Sequence, residues 1–262
     1  MTDISYKDAY DLAIAVVRTA GEMAKKAFGH VRVEYKESDV AFDVVTAADR
    51  DIDTFLRAEV SRAFPSHQIH SEESGSDEGG EYVWTIYPID GSSNFSRGIP
   101  HFAVCLGLLH NGVPVVGVVY NPITNELFSF YEGGGAFLND EPLAATHPAV
   151  LAGSHVLLSM GSRKQNWEWS IPLQKKLMEN GAHVRNLGSS ALDLCYLASG
   201  KVDAVMYGGM SLRDVAPAIG MLRAVGGGVY VFETGDIAPL TKEPQRIVAS
   251  RTKALADTIR AL

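Results

Sequence analysis

The chain has 262 residues, of which 46% are hydrophobic, so it can bury a substantial core in one large domain or two modest ones. Its 23 Lys and Arg residues against 31 Asp and Glu residues give a formal net charge of −8, which disfavours nonspecific binding to nucleic acid. No apolar run approaches the roughly 18 residues of a membrane span, and the N-terminal segment lacks the pattern of a secretory signal, so we expect a cytoplasmic protein with no membrane partner.

The N-terminal third is predicted to hold two helices separated by a strand. Apolar residues recur at helical spacing over about 6–28, and Gly29 follows as a stop signal. Residues 31–36 alternate like a strand. A second helix is predicted over about 46–64, where Pro65 ends it.

Residues 82–138 are predicted to be mostly strands. The Asn-Gly pair of His110-Asn-Gly-Val113 lies between apolar runs, which is a strong hairpin signal. Strands over 126–131 and 136–138 continue the antiparallel sheet. Because no helix follows the glycines at 133–135, they indicate a hairpin turn there and not a phosphate loop.

Beyond about residue 145, strands alternate with helices, which indicates an α/β unit. Strands are predicted over 155–159, 183–187, 202–207, 229–232 and 246–249, and helices over about 166–179, 190–199, 214–225 and from 251 onward. The junction is placed at Pro142 to Pro148. We therefore predict an α+β N-terminal domain over 1–145, an α/β C-terminal domain over 146–262, and a cleft between them.

The two cysteines, Cys105 and Cys195, both lie in apolar patterns and are predicted to be buried thiols.

A carboxylate-bearing turn stands out in the stretch Trp84-Thr-Ile-Tyr-Pro-Ile-Asp-Gly-Ser-Ser-Asn-Phe95. An apolar strand there delivers Asp90 to a fixed point, and Gly91 and Ser92 open a helix whose free N–H groups suit a phosphate. Other acids lie at strand ends or helix starts, namely Glu72, Glu73 and Asp214. Each alone is as easily a surface acid or a helix cap, but together they suit Mg²⁺, which prefers carboxylate oxygens.

Several segments together resemble the inositol monophosphatase family, which extends to fructose-1,6-bisphosphatase-like and histidinol-phosphatase-like members. Besides the Asp90 turn, they are Asp43-Val-Val-Thr-Ala-Ala-Asp49, His70-Ser-Glu-Glu-Ser74, Gly133-Gly-Gly-Ala-Phe-Leu-Asn139, Gly188-Ser-Ser-Ala191 and Leu212-Arg-Asp-Val-Ala216. The resemblance implies a layered αβαβα sandwich of the sugar phosphatase type, with an antiparallel N-terminal sheet and a mixed C-terminal sheet. It also implies a homodimer and Mg²⁺ as cofactor.

The same resemblance implies catalytic roles for three side chains. Glu72 would ligate a first metal and help to orient the attacking water. Ser92 would be the hydroxyl partner of that water, and Asp49 would hold Ser92 and the water in line.

Further metal ligands are also implied. The backbone carbonyl of Ile89 would bind the first metal, and Asp90 and Asp214 would bind the second. Glu73 would neighbour a third, weak metal position or be structural.

Substrate contacts are implied at five positions, which are Gly91, Ser92, Ser190, Tyr207 and Arg213. The N–H groups of Gly91 and Ser92 would receive the phosphate. Inositol-preferring members carry a Trp where Arg213 stands and an acid where Tyr207 stands. Arg213 therefore either binds a second anionic group of the substrate or pairs with a neighbouring acid.

One position departs from the family pattern. The family places an Asp that bridges two metals where this chain has Tyr87. A phenol has a reference pKa of about 10, so near neutrality it offers a neutral, bulky oxygen instead of an anion. Losing the shared carboxylate should weaken both metals, which indicates either lost activity or a site adapted to one metal.

These observations predict a Mg²⁺-dependent phosphomonoesterase that acts on a small sugar or polyol phosphate, with activity reduced by Tyr87. Its partner would be a small phosphorylated metabolite. The alternative is a catalytically impaired pseudo-phosphatase that keeps the fold and acts by binding a ligand or a protein.

Overall fold

In a computed structural model the chain is described over residues 5–29, 33–35, 44–71, 75–76, 80–144, 150–159 and 164–262. Within these ranges it forms seven helices, one eight-stranded sheet, one five-stranded sheet and one small two-stranded sheet. The small sheet pairs β1 (Val33–Tyr35) antiparallel with β2 (Val44–Thr46).

The larger sheet belongs to the N-terminal half. Its strands are β3 (Gln68–Ser71), β4 (Gly75–Ser76), β5 (Tyr82–Asp90), β6 (Ala103–His110), β7 (Val113–Asn121), β8 (Glu126–Tyr131), β9 (Gly135–Leu138) and β10 (Glu141–Pro142). They lie in the order β10-β9-β8-β7-β6-β5-β3-β4. Every neighbouring pair is antiparallel except β3 with β5. This parallel pair brings the ends of β3 and β5 to the same edge.

Two long helices cover the outer face of this sheet. They are α1 (Tyr6–Ala27), which Ser5 caps, and α2 (Ala47–Ala63). Both present an apolar stripe to the sheet, and their buried side chains form one core with residues of β5, β6 and β7. Among the residues that the structure describes, no helix is both long enough and apolar enough to cross a bilayer.

Two turns of this sheet confirm the sequence-based expectations. Asn111 and Gly112 join β6 to β7 with φ values of 49° and 77°, the left-handed geometry that an Asn-Gly hairpin requires. The glycines at 133–135 turn the chain from β8 to β9, where the N–H of Gly134 donates to the carbonyl of Tyr131 at 3.0 Å.

The second sheet belongs to the C-terminal half. Its strands are β11 (His155–Ser159), β12 (His183–Arg185), β13 (Ala204–Met210), β14 (Gly228–Val231) and β15 (Gln245–Ser250). They lie in the order β12-β11-β13-β15-β14, parallel around β11 and antiparallel around β15. The sheet is therefore mixed, as predicted.

Helices lie on both faces of the second sheet. They are α4 (Lys164–Glu179), α5 (Ser190–Ala198), α6 (Ala216–Ala224) and α7 (Lys253–Arg260), numbered after the short helix α3 (Ser92–Ser96). The pair α5 and α6 packs between the two sheets, whereas α4 and α7 cover the outer face. Layers of helix and sheet thus alternate as αβαβα. Cys105 of β6 and Cys195 of α5 are buried free thiols in the core between the two sheets.

Several predicted boundaries in this half were wrong, among them those of the strand predicted over 202–207, which runs over Ala204–Met210. The strand predicted over 183–187 ends at Arg185, because the chain leaves the sheet there and the carbonyl of Leu187 accepts a hydrogen bond from Asn94 at 2.8 Å. The helix predicted from Asp214 begins at Ala216. Pro217 lies in its first turn, where a missing N–H costs nothing.

Candidate active site

Asp90 occupies the last position of β5 and is 1% exposed. The pairing of β5 with β6 is irregular between Tyr87 and Asp90, where Pro88 offers no N–H to the ladder. This irregularity turns the carboxylate away from the regular pleat. Asp90 lies at the edge that faces the C-terminal half.

The carboxylate of Asp90 is held by the N-terminus of α5. Its Oδ2 atom accepts hydrogen bonds from the hydroxyl of Ser189 and from the N–H of Ala191, the latter at 2.8 Å, and the N–H of Ser190 also donates to it. Burial raises the pKa of Asp90 to about 6, although these hydrogen bonds act to lower it, and the nearby negative Asp193 raises it further. Within the protein, the ionised form therefore lacks full compensation for its lost hydration.

Gly91 makes the turn that follows, with a left-handed φ of 92°. A Cβ atom there would lie 3.1 Å from the carbonyl oxygens of both Gly188 and His101. Only glycine fits without strain, since the turn needs positive φ and close backbone approach. Ser92 then begins α3, and its hydroxyl donates to the carbonyl of Ile89 at 2.9 Å.

Two of the acids on α2, Asp49 and Asp53, lie one helical turn apart and are both buried. Asp49 is 2% exposed, and its Oδ2 accepts from the N–H of Thr46 at 2.8 Å and from the Thr46 hydroxyl at 2.6 Å. Asp53 is 5% exposed and accepts a hydrogen bond from the hydroxyl of Ser71. Since α3 packs on β2, which leads into α2, the predicted partners Asp49 and Ser92 lie on neighbouring elements.

Asp214 lies in the turn before α6 and is in contact with β3. One of its carboxylate oxygens is 3.5 Å from Nε2 of His70. His70 precedes Ser71, the last residue of β3, and Ser71 pairs in register with Ile86 of β5. The structure thus brings the end of β3 and the turn that carries Asp214 together. Glu72 and Glu73, predicted at this place, lie outside the described residues.

Tyr87, at the family's bridging position, is half-buried. It pairs with Cys105 of β6 and packs against the core between the two sheets. Its phenol therefore lies on the strand that leads to Asp90, three residues away.

The predicted substrate residues of the C-terminal half differ in exposure. Arg213 is partly exposed in the turn that carries Asp214. Tyr207 is 4% exposed, and its hydroxyl lies 3.0 Å from Oδ2 of Asp193 and 3.2 Å from the carbonyl of Ser190. The side chain of Tyr207 is thus engaged inside the protein.

The donor set fits a hard divalent cation in part. Asp90 is a buried carboxylate whose pKa is raised chiefly by burial, and Asp214, beside His70, is a second carboxylate. The neutral phenol of Tyr87 does not fit the role of a bridging ligand. Within the described ranges no group of three or more His, Cys, Asp or Glu side chains is arranged to hold a metal, and those ranges do not contain Glu72 or Glu73.

Three residues of this region, of which Asp53 and Asp193 are buried and His101 is partly exposed, were not predicted as site residues. Asp53 holds Ser71, Asp193 contacts Tyr207, and Nε2 of His101 lies 3.4 Å from Oδ1 of Asp193. A signal for Asp53 existed, because it follows Asp49 by one helical turn. Asp193 and His101 lie far apart in the sequence, so no local pattern predicts their contact.

The fold and these motifs define a class of protein. The model of the inositol monophosphatase family matches residues 5–262, and the chain belongs to that family.

Individual relatives agree with this assignment. The chain is 35% identical to a Nus factor SuhB of Pasteurella multocida over 232 residues, covering 86% of this chain and 85% of the relative. It is 34% identical to an inositol-1-monophosphatase of Mesorhizobium japonicum over 229 residues, covering 86% of each. Among solved structures, an IMPase of Thermotoga maritima superposes with a TM-score of 0.87 at 29% identity, covering 97% of this chain and 96% of that one.

Proposed function

We propose that this member of the inositol monophosphatase family is a Mg²⁺-dependent phosphomonoesterase weakened by Tyr87. The observation that carries the proposal is the buried carboxylate of Asp90, which the N-terminus of α5 holds by hydrogen bonds and which directly precedes the Gly91 turn. A divalent cation would offset the cost of burying this carboxylate in its ionised form. The family itself supports hydrolysis of phosphate esters.

Four groups would hold the metal ions, namely the carboxylates of Glu72, Asp90 and Asp214 and the backbone carbonyl of Ile89. Bound Mg²⁺ would neutralise charge on the phosphoryl oxygens and lower the pKa of a water molecule. Tyr87 would supply no anion to this set, so we expect weak metal binding in the protein as it stands.

The remaining steps belong to the residues of the chain. The N–H groups of Gly91 and Ser92 would bind the phosphate at the start of α3. The hydroxyl of Ser92 donates to the carbonyl of Ile89 in the structure, so it would have to turn to donate to Asp49. In that orientation Asp49 would accept its hydrogen bond and the Ser92 oxygen would orient the attacking water. As the water oxygen bonds to phosphorus, the bond from phosphorus to the alcohol oxygen breaks, and the alcohol leaves with a proton.

A small sugar or polyol phosphate is the proposed substrate class. Arg213 is partly exposed and adjacent to Asp214 in the chain, and its guanidinium would bind a second anionic group on such a substrate. An acidic sugar phosphate or a bisphosphate would satisfy this preference.

The test is a phosphate-release screen over sugar phosphates, inositol phosphates and histidinol phosphate, each with and without Mg²⁺. Asp90→Asn serves as the variant that should lose any release, and Asp236→Asn, on the exposed surface, as the matched control that should not. Release that depends on Mg²⁺ and on Asp90 supports the proposal. Release that persists in Asp90→Asn contradicts it.

A second candidate function is favoured by Tyr87 alone. A family member without the bridging carboxylate could bind a phosphorylated ligand or a protein without turnover. Relatives of this chain are named both inositol-1-monophosphatase and Nus factor SuhB, so the family's names do not all denote a phosphatase. Titration calorimetry that detects phosphate binding, together with no phosphate release from either the protein or its Tyr87→Asp variant, would favour this function.

The domain organisation and the oligomeric state are proposed by the same reasoning. We infer two domains, 1–145 and 146–262, that each contribute metal ligands, and a homodimer as the assembly. Sedimentation velocity over a range of concentrations tests the assembly. A single species at the monomer mass of 28.3 kDa would refute it.

A further inference from the structure

A buried carboxylate outside the proposed metal set lies close to Asp90. Asp193 is on the first turn of α5 and is 2% exposed. Its Oδ2 accepts a hydrogen bond from the hydroxyl of Tyr207 at 3.0 Å, and its Oδ1 lies 3.4 Å from Nε2 of His101. Burial of a carboxylate is costly unless partners hold it. The Tyr207 hydroxyl holds Oδ2 by a hydrogen bond, whereas Oδ1 has the longer approach of His101, which is an ion-pair contact and not a hydrogen bond.

The contact is connected to Asp90 through the backbone of α5. The Tyr207 hydroxyl that faces Asp193 also lies 3.2 Å from the carbonyl of Ser190. In the same turn, the N–H of Ala191 donates to Asp90 at 2.8 Å. Tyr207 therefore touches the turn of helix that holds Asp90, from the side of β13.

On its other side the contact is connected to the proposed phosphate turn. The carbonyl of His101 accepts a hydrogen bond from the side chain of Asn94 on α3 at 2.8 Å. The same amide group of Asn94 donates to the carbonyl of Leu187, just before α5, at 2.8 Å. The Gly91 turn packs against both segments, so a shift of His101 would displace this turn.

We propose that Asp193, Tyr207 and His101 are positioning residues, which together fix the N-terminus of α5 relative to the Gly91 turn and so orient the carboxylate of Asp90. The inference rests on the proposed function in treating Asp90 as a metal ligand. It also changes the role expected of Tyr207, which acts from inside the protein instead of touching the substrate.

A role of these three residues in stability alone predicts a different result. If these side chains only stabilise the fold, their removal lowers the melting temperature and leaves the bond between Asp90 and Ala191 intact. If they position α5, their removal loosens that bond even where the protein stays folded. Protection of the Ala191 amide against hydrogen exchange reports on this bond directly.

The experiment compares Tyr207→Phe and Asp193→Asn with Tyr196→Phe. Tyr196 is a matched control, because its hydroxyl donates to Glu126 at 3.1 Å near the other end of α5 and not to the Asp90 region. Amide exchange of Ser190 and Ala191 is measured by NMR. Mg²⁺ affinity is measured by titration calorimetry in the Tyr87→Asp background, so that metal binding is read without turnover.

We expect faster exchange at Ala191 in Tyr207→Phe and Asp193→Asn, and a Mg²⁺ affinity lower by about 10-fold or more, the usual effect of losing a group that orients a metal ligand. Tyr196→Phe should change neither. Unchanged exchange at Ala191 in folded Tyr207→Phe overturns the inference, whatever the melting temperature.

The outcome is separate from that of the proposed function. If no variant releases phosphate, the phosphatase proposal fails, while the exchange of Ala191 still decides the positioning role. If Asp193→Asn does not fold, Tyr207→Phe, which removes one oxygen atom, decides it.

Discussion

The carboxylate of Asp90 accepts a hydrogen bond from the N–H of Ala191, 101 positions further along the chain. The strand that carries Asp90 belongs to the N-terminal sheet, whereas Ala191 opens a helix of the middle layer. The partial positive charge of a helix N-terminus favours the ionised carboxylate. Because residues of the C-terminal half hold this carboxylate, substitutions there can alter the orientation of Asp90.

Replacing Tyr87 by aspartate should restore metal binding. The Tyr87→Asp variant is expected to gain Mg²⁺ affinity and kcat together, by several decades in rate if the added charge supplies several kcal/mol of stabilisation. Without Mg²⁺ the variant should be slightly less stable, since it loses apolar burial and crowds carboxylates, and with Mg²⁺ it should be more stable. Titration calorimetry, a phosphate-release assay and thermal unfolding check these three expectations.

The matched control is Tyr87→Phe, which keeps the ring and adds no charge. It should bind Mg²⁺ and turn over like the unaltered protein. Equal metal binding and equal turnover in the Tyr87→Asp variant would show that the bridging role has been assigned to the wrong position.

Removing the charge of Asp90 or Asp214 should abolish the restored activity. In the Tyr87→Asp background, Asp90→Asn and Asp214→Asn are expected to lose detectable phosphate release and to remain folded by circular dichroism, because an amide has nearly the shape of a carboxyl group. Asp236→Asn, on the exposed surface, should leave release unchanged. Turnover that survives either of the first two substitutions would remove that residue from the metal site.

Much of the fold could be predicted because its signals are local. Strand positions were predicted to within a residue or two from the Asn-Gly turn at Asn111 and Gly112 and from the apolar run over 126–131. The strand predicted beyond Arg185 failed, since the carbonyl of Leu187 is satisfied by Asn94 from a distant segment. Where a strand ends because of a contact with a distant segment, the local sequence does not predict its end.

The candidate site divides in the same way. The Asp90 turn was predictable, because its strand, its glycine and its helix start follow one another along the chain. Contacts between Asp53 and Ser71 or between His101 and Asp193 join separate segments and were not predicted. Tyr207 was expected to meet substrate from its place in the motif, whereas its hydroxyl lies against Asp193.

Glu126 should make the stability of the protein depend on pH in the acid range. Burial alone would raise the pKa of Glu126, but hydrogen bonds from Lys201 and Thr124 and the charge of Lys201 outweigh burial and hold this pKa below its ordinary value of 4.5. A lowered folded-state pKa stabilises the native state above pH 4.5, and this contribution is lost as the pH falls through the folded-state value.

Glu126→Gln is therefore expected to lower the free energy of unfolding by about 1 kcal/mol at pH 7 and by less near pH 3. Urea unfolding at both pH values measures the difference. Glu59→Gln is the control, since its ion pair with the exposed Arg62 should contribute little at either pH. A deficit of Glu126→Gln that is equal at both pH values would contradict the charge-based explanation.

Gly91→Ala tests whether the turn after Asp90 requires glycine for space as well as for conformation. At φ 92° any side chain is strained by about 1–2 kcal/mol, and the added Cβ would also press on the carbonyls of Gly188 and His101, 3.1 Å away. Gly112→Ala separates the two effects, because Gly112 has a similar φ of 77° and no atom within 4 Å of the added Cβ. We expect urea unfolding to show a loss of about 1 kcal/mol for Gly112→Ala and at least twice that for Gly91→Ala.

Only Gly91→Ala should also reduce the protection of the Ala191 amide against hydrogen exchange. The Gly188 carbonyl must move away from the new methyl group, and Ser189 and Ala191 would move with it. Equal losses in the two variants, with Ala191 protection unchanged, would mean that the turn yields without disturbing α5 and that the close approach of Gly91 to Gly188 does not constrain Asp90.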